Sequence, residues 1–487
     1  MGIVLKQSFS NTLILFLGFA IGGVNVLFLY THFLHEDYFG LITFILSTGN
    51  ILLPLMVFGM NHTVIKFYSA YKEKNDRDAF LMTSLLIPLL IIIPLALIGT
   101  YSYETISNWL SKENILIKDY TWYIFVVAIF MGYFEVFYSW TKVQFNSVVG
   151  NFIREIFARV CISVLLFFVY QGKLSNEDFI LAVVVVYGAR TLLMKLYAFY
   201  VYMPKIVFKL PDNIREIFSF SLYIIVAGSA SGILLEIDKF MIPQMEQIAE
   251  VAYYSVAVYI ASVVAIPSRA MQQITTPITA EGMNNQKYDE VGSLYEQTSI
   301  NLLVIGGLFF LLINLNVEDV YQIIDKPQFT KGIWIVMIIS LAKMAELALG
   351  TGNAILVNST YYRVFFYLSL AMAISVIFLN NWLISLIGIH GAALATLIVV
   401  VLYNLFKIVY IKFKVGIQPF SYKTLYLLLL ISAVYVLFSF IEISENVFYN
   451  ILAKSMLIVI GYGTLVKKLQ ISSEIDDMFQ FLKRRGQ

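Results

Sequence analysis

The stretch LLEIDKFMIPQM, residues 234–245, places three ionisable side chains inside an otherwise apolar run. Glu236 and Lys239 are three residues apart, so on a helix they share one face and can form an ion pair. Asp238 points about 100° away from Lys239 and is left for another partner. A carboxyl group in a cavity of low dielectric favours its protonated form, so its affinity for a proton or sodium ion can alternate with water access. Asp238, with Glu236, is therefore the predicted ion-coupling group.

Other ionisable residues also interrupt apolar segments, where a charge normally faces a cavity or a partner. Lys343 and Glu346 repeat the three-residue spacing, which fits either a ligand site or an ion pair that fixes helix register. Arg269 has no acid within helical reach before Glu281. Its planar guanidinium matches phosphate oxygens, so Arg269 is a predicted anion ligand. The remaining charges of this kind are Glu135, Arg154, Glu155, Arg159 and Arg190; Arg154, Glu155 and Arg159 lie near a helix end, where long side chains can reach the interface.

No catalytic or cofactor-binding set is present in the sequence. His32 and His35 share a helix face beside Glu36, but no third convincing ligand accompanies them, so no metal site is expected. A phosphate-binding P-loop, a nucleophile elbow and a nucleotide-binding domain are all missing. We therefore expect no enzyme and no cofactor, and any transport must be driven by an ion gradient, the membrane potential or a substrate gradient.

The composition requires that these charges be positioned by membrane helices. Of the 487 residues, 60% are hydrophobic and 13% are charged, and the mean hydropathy is +0.80. Soluble domains have about half apolar and about a quarter charged residues. Because a spanning helix needs about 20 mostly apolar residues, the sequence predicts an all-α polytopic protein with about fourteen spans, at 9–33, 39–65, 80–103, 117–140, 148–171, 177–203, 216–243, 250–277, 294–315, 332–356, 361–385, 389–412, 423–442 and 447–466.

Lysine and arginine in the loops orient these spans, since cytoplasmic loops carry an excess of both. With the N-terminus inside, the opposite side receives Lys112, Lys118, Lys173, Lys326 and Lys331. The cytoplasmic side receives a much larger set: Lys6, residues 66–77, Lys142, Arg154, Lys205, Lys209, Arg215, Lys287, Arg363, Lys407, Lys412, Lys414, Lys423 and the basic C-terminal tail. We therefore predict an even number of spans with both termini in the cytoplasm.

An internal repeat divides the chain. Ser-Phe-Ser at 8–10 and 219–221, followed by GFAIG at 18–22 and GSASG at 228–232, recur at a nearly constant offset. Six spans per copy preserve orientation, as in transporters built from parallel repeats. The predicted domains are an N-terminal lobe, 1–210, a C-terminal lobe, 211–415, and two extra spans with a cytoplasmic tail, 416–487.

Several segments resemble a known family. SFSNTLILFLGFAIGGVNVLFLYTHFLHEDYFGLITFILS and GMNHTVIKFYSAY are similar to the N-terminal lobe of Wzx-type polysaccharide repeat-unit flippases, in the multidrug/oligosaccharidyl-lipid/polysaccharide (MOP) exporter superfamily. EIDKFMI, EVAYYSVAVYIAS and PITAEGMNNQKYDEVGSLYEQ resemble the seventh and eighth spans and the loop that follows. The resemblance implies a V-shaped bundle of two six-helix lobes around a cationic cavity. It also implies alternating access for a polyprenyl-pyrophosphate-linked oligosaccharide in surface polysaccharide synthesis (O-antigen, capsule or exopolysaccharide) at the bacterial inner membrane.

The resemblance also suggests roles for individual residues. Asp238 and Lys239 match the family's acid–base pair, and Lys66 matches a basic residue that ends the second span. We expect pyrophosphate binding by Arg269 and Lys239 with Lys66 or Lys343. Expected partners are the bilayer, H⁺ or Na⁺, and a polysaccharide polymerase, but no nucleic acid. Lipid II flippases carry a basic–acidic pair in span 1, where this chain has only Asn11 and Asn25, which argues against lipid II.

Two other functions stay open at this stage. A small-molecule or cation antiporter of the same superfamily would share the twelve-helix core but usually lacks the last two spans. A membrane polysaccharide polymerase or ligase would carry a sizeable external catalytic loop, and the external loops here are short.

Overall fold

The protein is helical throughout its described part. The computed structural model describes residues 2–207 and 209–472, except for the side chains of residues 2–6, 8, 9, 226–231, 235, 269, 270, 273 and 362. Within those ranges no strand is present, which confirms the predicted all-α class.

The helices follow one another with short connections. They are α1 Gly2–Val24, α2 Tyr30–Phe33, α3 Glu36–Met56, α4 Met60–Phe67, α5 Lys74–Tyr101, α6 Tyr103–Leu110, α7 Ile117–Val143, α8 Val148–Phe152, α9 Ala158–Tyr170, α10 Asn176–Val201, α11 Ile214–Met241, α12 Ala249–Ser262, α13 Ile266–Asn284, α14 Tyr288–Asn314, α15 Val317–Ile324, α16 Ile333–Ala348, α17 Gly352–Val357, α18 Tyr362–Ile387, α19 Ile389–Val415, α20 Tyr422–Ser439 and α21 Val447–Lys468. Two π-helical segments join α1 to α2 and α8 to α9, at Asn25–Leu29 and Ile153–Phe157.

Eleven helical segments of the described chain are long and apolar enough to cross a membrane. This confirms a multi-pass membrane protein. The predicted spans at 148–171, 216–243 and 332–356 coincide with helices outside this set, namely α8–α9, α11 and α16–α17. The last of these is divided because Gly350 has a φ of +50°, in the left-handed region that ends helices. The count of fourteen stays a prediction.

The first compact unit is Met1–Ser255. In it α7 packs against α3, α4 and α10, and α11 packs against α3. The buried side chains of Phe134, Trp140 and Met194 form part of its core. Helix α3 closely approaches the backbone at Ile248, the residue before α12. A Cβ at Gly40 would lie 2.0 Å from the backbone oxygen of Ile248, so only glycine fits there.

The second compact unit is Val256–Gln487. Its helix α19 packs against α16 and α18, and α14 packs against α16. The predicted extra spans appear as α20 and α21, which both pack against α14. Their side chains Ile431 and Ile458 are buried in the same core as Leu311. The predicted lobe boundary at residue 210 is based on the sequence repeat and stays a prediction. By packing, α11 belongs to the first compact unit, because it contacts α3.

Candidate functional site

The carboxylate of Glu236 on α11 has two partners in the first unit. Lys239 Nζ lies 2.9 Å from Glu236 Oε2, in the predicted three-residue pair. From α3, the Asn50 amide donates to Glu236 Oε1 at 3.4 Å. The two charged side chains are about one-fifth exposed, 20% for Glu236 and 19% for Lys239. The pair is thus a partly buried, charge-compensated unit.

Asp238 takes a different direction from its neighbours, as its position on the helix predicts. It is 7% exposed and accepts a hydrogen bond from the hydroxyl of Tyr254 on α12. A buried carboxyl group that faces a hydroxyl can hold its proton or share that contact when ionised. Asp238 is therefore a buried carboxyl group with a hydroxyl among its partners.

A network of arginines and glutamates lies among α7, the π-helical segment after α8, and α9. Arg154 lies 3.5 Å from Glu135 and 3.5 Å from Glu155. Arg159 Nη1 lies 3.0 Å from the carboxylate of Glu155 and 3.0 Å from its backbone oxygen. Arg159 therefore pairs with Glu155, which lies one helical turn earlier in the sequence.

Arg190 on α10 is the least exposed cation of this region. Its side chain is 8% exposed, and its guanidinium lies 4.0 Å from the ring of Phe134 and 5.3 Å from that of Tyr187. Within the described chain it forms no ion pair, and its buried Nε has no hydrogen-bond partner. The charges of Glu135, Arg154 and Glu155 act on it electrostatically.

A second cation of the same region, Lys142 on α7, also rests on an aromatic ring. Its Nζ lies 3.8 Å from the ring of Tyr138, and the charges of Glu135 and Arg154 act on it. We call Lys142, Arg154, Arg159, Arg190, Glu135 and Glu155 the charge cluster. It contains four cations and two carboxylates, so it has an excess of positive charge.

Two π-helical segments lie beside this cluster. Arg154 and Glu155 belong to the π-helical segment Ile153–Phe157. The other π-helical segment begins at Asn25, whose amide donates to the backbone oxygen of Arg159 at 2.9 Å. Single-turn π segments occur often at functional sites, and no residue pattern in one sequence marks them.

The other predicted ligands are placed differently. Lys66, at the end of α4, is exposed, and its Nζ lies 3.7 Å from the ring of Phe220 on α11. Lys343, in the second unit, lies 3.0 Å from Glu346 in the predicted pair. Arg269 belongs to α13, and its side chain lies outside the described residues. The first unit thus gives Glu236 and Asp238 partners from other helices, Asn50 on α3 and Tyr254 on α12, whereas Lys239 pairs within α11.

The chemistry available in the first unit is electrostatic binding. No group of three histidine, cysteine or acidic side chains among the described residues can hold a metal ion. Arginine side chains bind phosphate oxygens through paired N–H groups. The charge cluster is therefore suited to an anion. Sequence reasoning named five of its members as charges in apolar segments and placed Lys142 only among the cytoplasmic loop lysines, because their grouping depends on contacts between helices.

A family model described as polysaccharide biosynthesis protein matches residues 4–280, more than half of the chain. Among curated proteins, no match was found.

Solved structures share the fold at low sequence identity. A structure of the lipid II flippase MurJ in an inward closed conformation matches with a TM-score of 0.70 and 14% identity, over 95% of this chain and 99% of that one. An inward-facing multidrug resistance MATE family transporter of the MOP superfamily matches with a TM-score of 0.57 and 13% identity, over 83% and 94%. The MATE multidrug transporter DinF-BH matches with a TM-score of 0.54 and 14% identity, over 85% and 95%. The predicted all-α class is confirmed as a fold that this chain shares with these structures, and these neighbours are flippases and transporters rather than enzymes.

Proposed function

Because the chain belongs to the polysaccharide biosynthesis protein family and has the fold of MOP transporters, we propose that it moves a polyprenyl-pyrophosphate-linked oligosaccharide across the cytoplasmic membrane. The lipid-linked unit enters from the cytoplasmic leaflet and leaves to the outer leaflet by alternating access. The product serves surface polysaccharide synthesis, such as O-antigen, capsule or exopolysaccharide. A polysaccharide polymerase is a partner that would consume it.

The observation that carries this proposal is the excess positive charge of the charge cluster. A cation at membrane depth costs roughly 3 kcal/mol or more unless it meets a partner. Glu135 and Glu155 compensate Arg154 and Arg159, whereas Arg190 rests on aromatic rings within the described structure. A pyrophosphate supplies the missing negative charge and matches the guanidinium fork.

The other proposed ligands are Arg269, Lys239, Lys66 and Lys343. Lys239 and Lys343 each hold a carboxylate three residues away, so they can exchange that carboxylate for a phosphate oxygen. Lys66 has two aromatic rings as its described partners, so its charge is available to an anion without breaking an ion pair.

The reset step is proposed to use Asp238. Glu236 already holds Lys239 and Asn50, so its charge is tied to a cation. Asp238 is buried and accepts a hydrogen bond from the Tyr254 hydroxyl. A hydroxyl can donate to an ionised carboxylate and can also accept from a protonated one, so this contact tolerates both states. H⁺ or Na⁺ is the proposed coupling ion.

A small-molecule or cation antiporter is a second candidate, favoured by the fold shared with MATE transporters. Those two structures align with 83% and 85% of this chain, whereas the MurJ structure aligns with 95%. The better coverage supports the flippase function, because the chain carries α20 and α21 beyond the twelve-helix core.

The proposal is tested with Arg269→Ala in the host. Loss of the guanidinium should abolish surface polysaccharide while the protein level stays normal. Arg215→Ala is the matched control, since Arg215 is an exposed arginine at the start of α11. Unchanged surface polymer in Arg269→Ala would remove Arg269 from the ligand set.

A further inference from the structure

A small cleft in the second unit has a lining that differs from that of the charge cluster. It has a volume of about 220 Å³ and lies between α13 and α17. Among the described side chains that line it, none is charged; the polar ones are amides and hydroxyls, from Gln272, Thr275, Thr276, Thr351, Asn353 and Asn358. Pockets for drug-sized ligands measure roughly 300–1,000 Å³, so this cleft suits a smaller, uncharged and hydrogen-bonding group.

Asn353 is held in one orientation by a buried lysine. Lys407 on α19 is 4% exposed, and its Nζ donates to Asn353 Oδ1 at 2.7 Å. Because Lys407 donates to the oxygen of Asn353, the amide NH₂ on the other side of that group turns away from the lysine. Asn353 is exposed, and its NH₂ is therefore an open donor in the cleft.

The lysine also strengthens that donor. Lys407 Nζ lies 3.7 Å from the ring of Tyr403 and 5.2 Å from that of Phe365, in a buried position. In a medium of low dielectric, hydrogen bonds in a chain polarise one another, so the hydrogen bond that Asn353 accepts makes its own amide hydrogens more positive.

The other polar groups complete a set of donors and acceptors. The side-chain amide of Asn358 donates a hydrogen bond to the backbone oxygen of Ala354 at 2.8 Å, which leaves Oδ1 of Asn358 as an acceptor. Thr276 and Gln272 are exposed. The buried hydroxyl of Thr351 has no hydrogen-bond partner within the described chain. Val357, half exposed, adds an apolar surface.

We propose that this cleft is a saccharide subsite, which binds one uncharged sugar ring of the transported unit. A hexose or N-acetylhexosamine offers hydroxyl donors and acceptors around its rim and C–H groups on its face, which match the amides, hydroxyls and valine of the cleft. This inference rests on the proposed function for the lipid-linked substrate. It adds that neutral polar groups of the second unit recognise the sugar, whereas cations bind the pyrophosphate.

The test uses the full chain in nanodiscs and methyl glycosides of glucose, galactose, mannose and N-acetylglucosamine as probes. Binding is measured by saturation-transfer NMR titration, with empty nanodiscs as the blank. Asn353→Asp keeps the acceptor for Lys407 but replaces the open NH₂ donor with an oxygen. Thr276→Val removes a hydroxyl without changing shape. Gln297→Ala is the control, since Gln297 is an exposed glutamine of the same unit that does not line this cleft.

The wild-type chain should bind at least one glycoside, and Asn353→Asp should weaken that binding by about tenfold, the effect of one lost hydrogen bond. Thr276→Val should weaken glycoside binding as well. If Asn353→Asp does not fold, the affinity of Thr276→Val tests the subsite alone. Gln297→Ala should bind as the wild type does. Absence of glycoside binding above the blank, or equal affinity in the wild type and both cleft variants, would overturn the subsite.

A parallel titration with undecaprenyl pyrophosphate separates the two proposals. Normal binding of this sugar-free lipid without any glycoside binding overturns the subsite and leaves the flippase proposal standing. Glycoside binding that depends on Asn353, without binding of the lipid, supports the subsite and contradicts the pyrophosphate site.

Discussion

Replacement of Arg190 by methionine separates a structural from a ligand-binding role for the charge cluster. Methionine has a similar length, stays buried at this position of α10 and carries no charge. If Arg190 has a structural role, its removal should lower the free energy of unfolding. A cation that serves an anionic ligand should instead destabilise the folded state. Its removal should therefore leave the free energy of unfolding unchanged or raise it.

The magnitude follows from the surroundings of the guanidinium. Its contact with the Phe134 ring at 4.0 Å is worth about 2 kcal/mol in a desolvated site. Against this, replacing buried charged groups by apolar ones of similar volume is often neutral or stabilising by about 1–4 kcal/mol. The buried Nε, which has no hydrogen-bond partner among the described residues, adds to the cost of the arginine. We therefore expect Arg190→Met to leave the free energy of unfolding within about 1 kcal/mol of the wild type, or to raise it.

The ligand should respond in the opposite direction. A hydrogen bond to a charged group contributes about 1.5–3 kcal/mol, so Arg190→Met should weaken binding of undecaprenyl pyrophosphate by roughly 10- to 100-fold. Arg190→Lys keeps the charge but loses the planar fork, and it should fall between the two. Calorimetric titration in nanodiscs measures the binding, and denaturant unfolding of the same samples measures the stability.

Arg77→Met is the matched control. The Arg77 guanidinium also stacks on aromatic rings, 5.3 Å from Tyr202 and 5.8 Å from Tyr68, but it lies outside the charge cluster. Its replacement should leave lipid binding unchanged. The reasoning is refuted if Arg190→Met binds the lipid like the wild type, or if it loses more than about 2 kcal/mol of stability, the whole value of the aromatic contact.

Three further outcomes are expected. In vesicles, Asp238→Asn should leave slow downhill flipping but remove its dependence on a proton or sodium gradient; lost protein, or reduced flipping with gradient dependence intact, would make the acid structural. Reporter fusions should read cytoplasmic at Gln487, which lies outside the described residues, and external at Lys173; a C-terminal fusion that reports external contradicts the topology. Gly40→Ala should lower stability by about 1–3 kcal/mol through overpacking, whereas Gly461→Ala, whose added carbon would meet open space beyond its own helix within the described structure, should not lower it; equal unfolding of both would refute the close approach.

The sequence by itself determined the class of the protein and the contacts that are local. Apolar runs of bilayer length require helices whichever way they pack, because backbone groups in lipid must be paired within the helix. A spacing of three residues fixes the pairs Glu236–Lys239 and Lys343–Glu346, because it depends only on the helical repeat. Both pairs are present at 2.9 and 3.0 Å, and Asp238 turns away from Lys239 for the same reason.

The tertiary structure decided which helices face one another. Partners such as Asn50 for Glu236, Tyr254 for Asp238 and Asn353 for Lys407 come from other helices, and their choice depends on the register and rotation of each packed pair. Several arrangements satisfy the same hydropathy, because lipid is as apolar as the side chains and gives no hydrophobic preference for one helix face. The grouping of cations in the first unit and of neutral amides in the second therefore arises from packing.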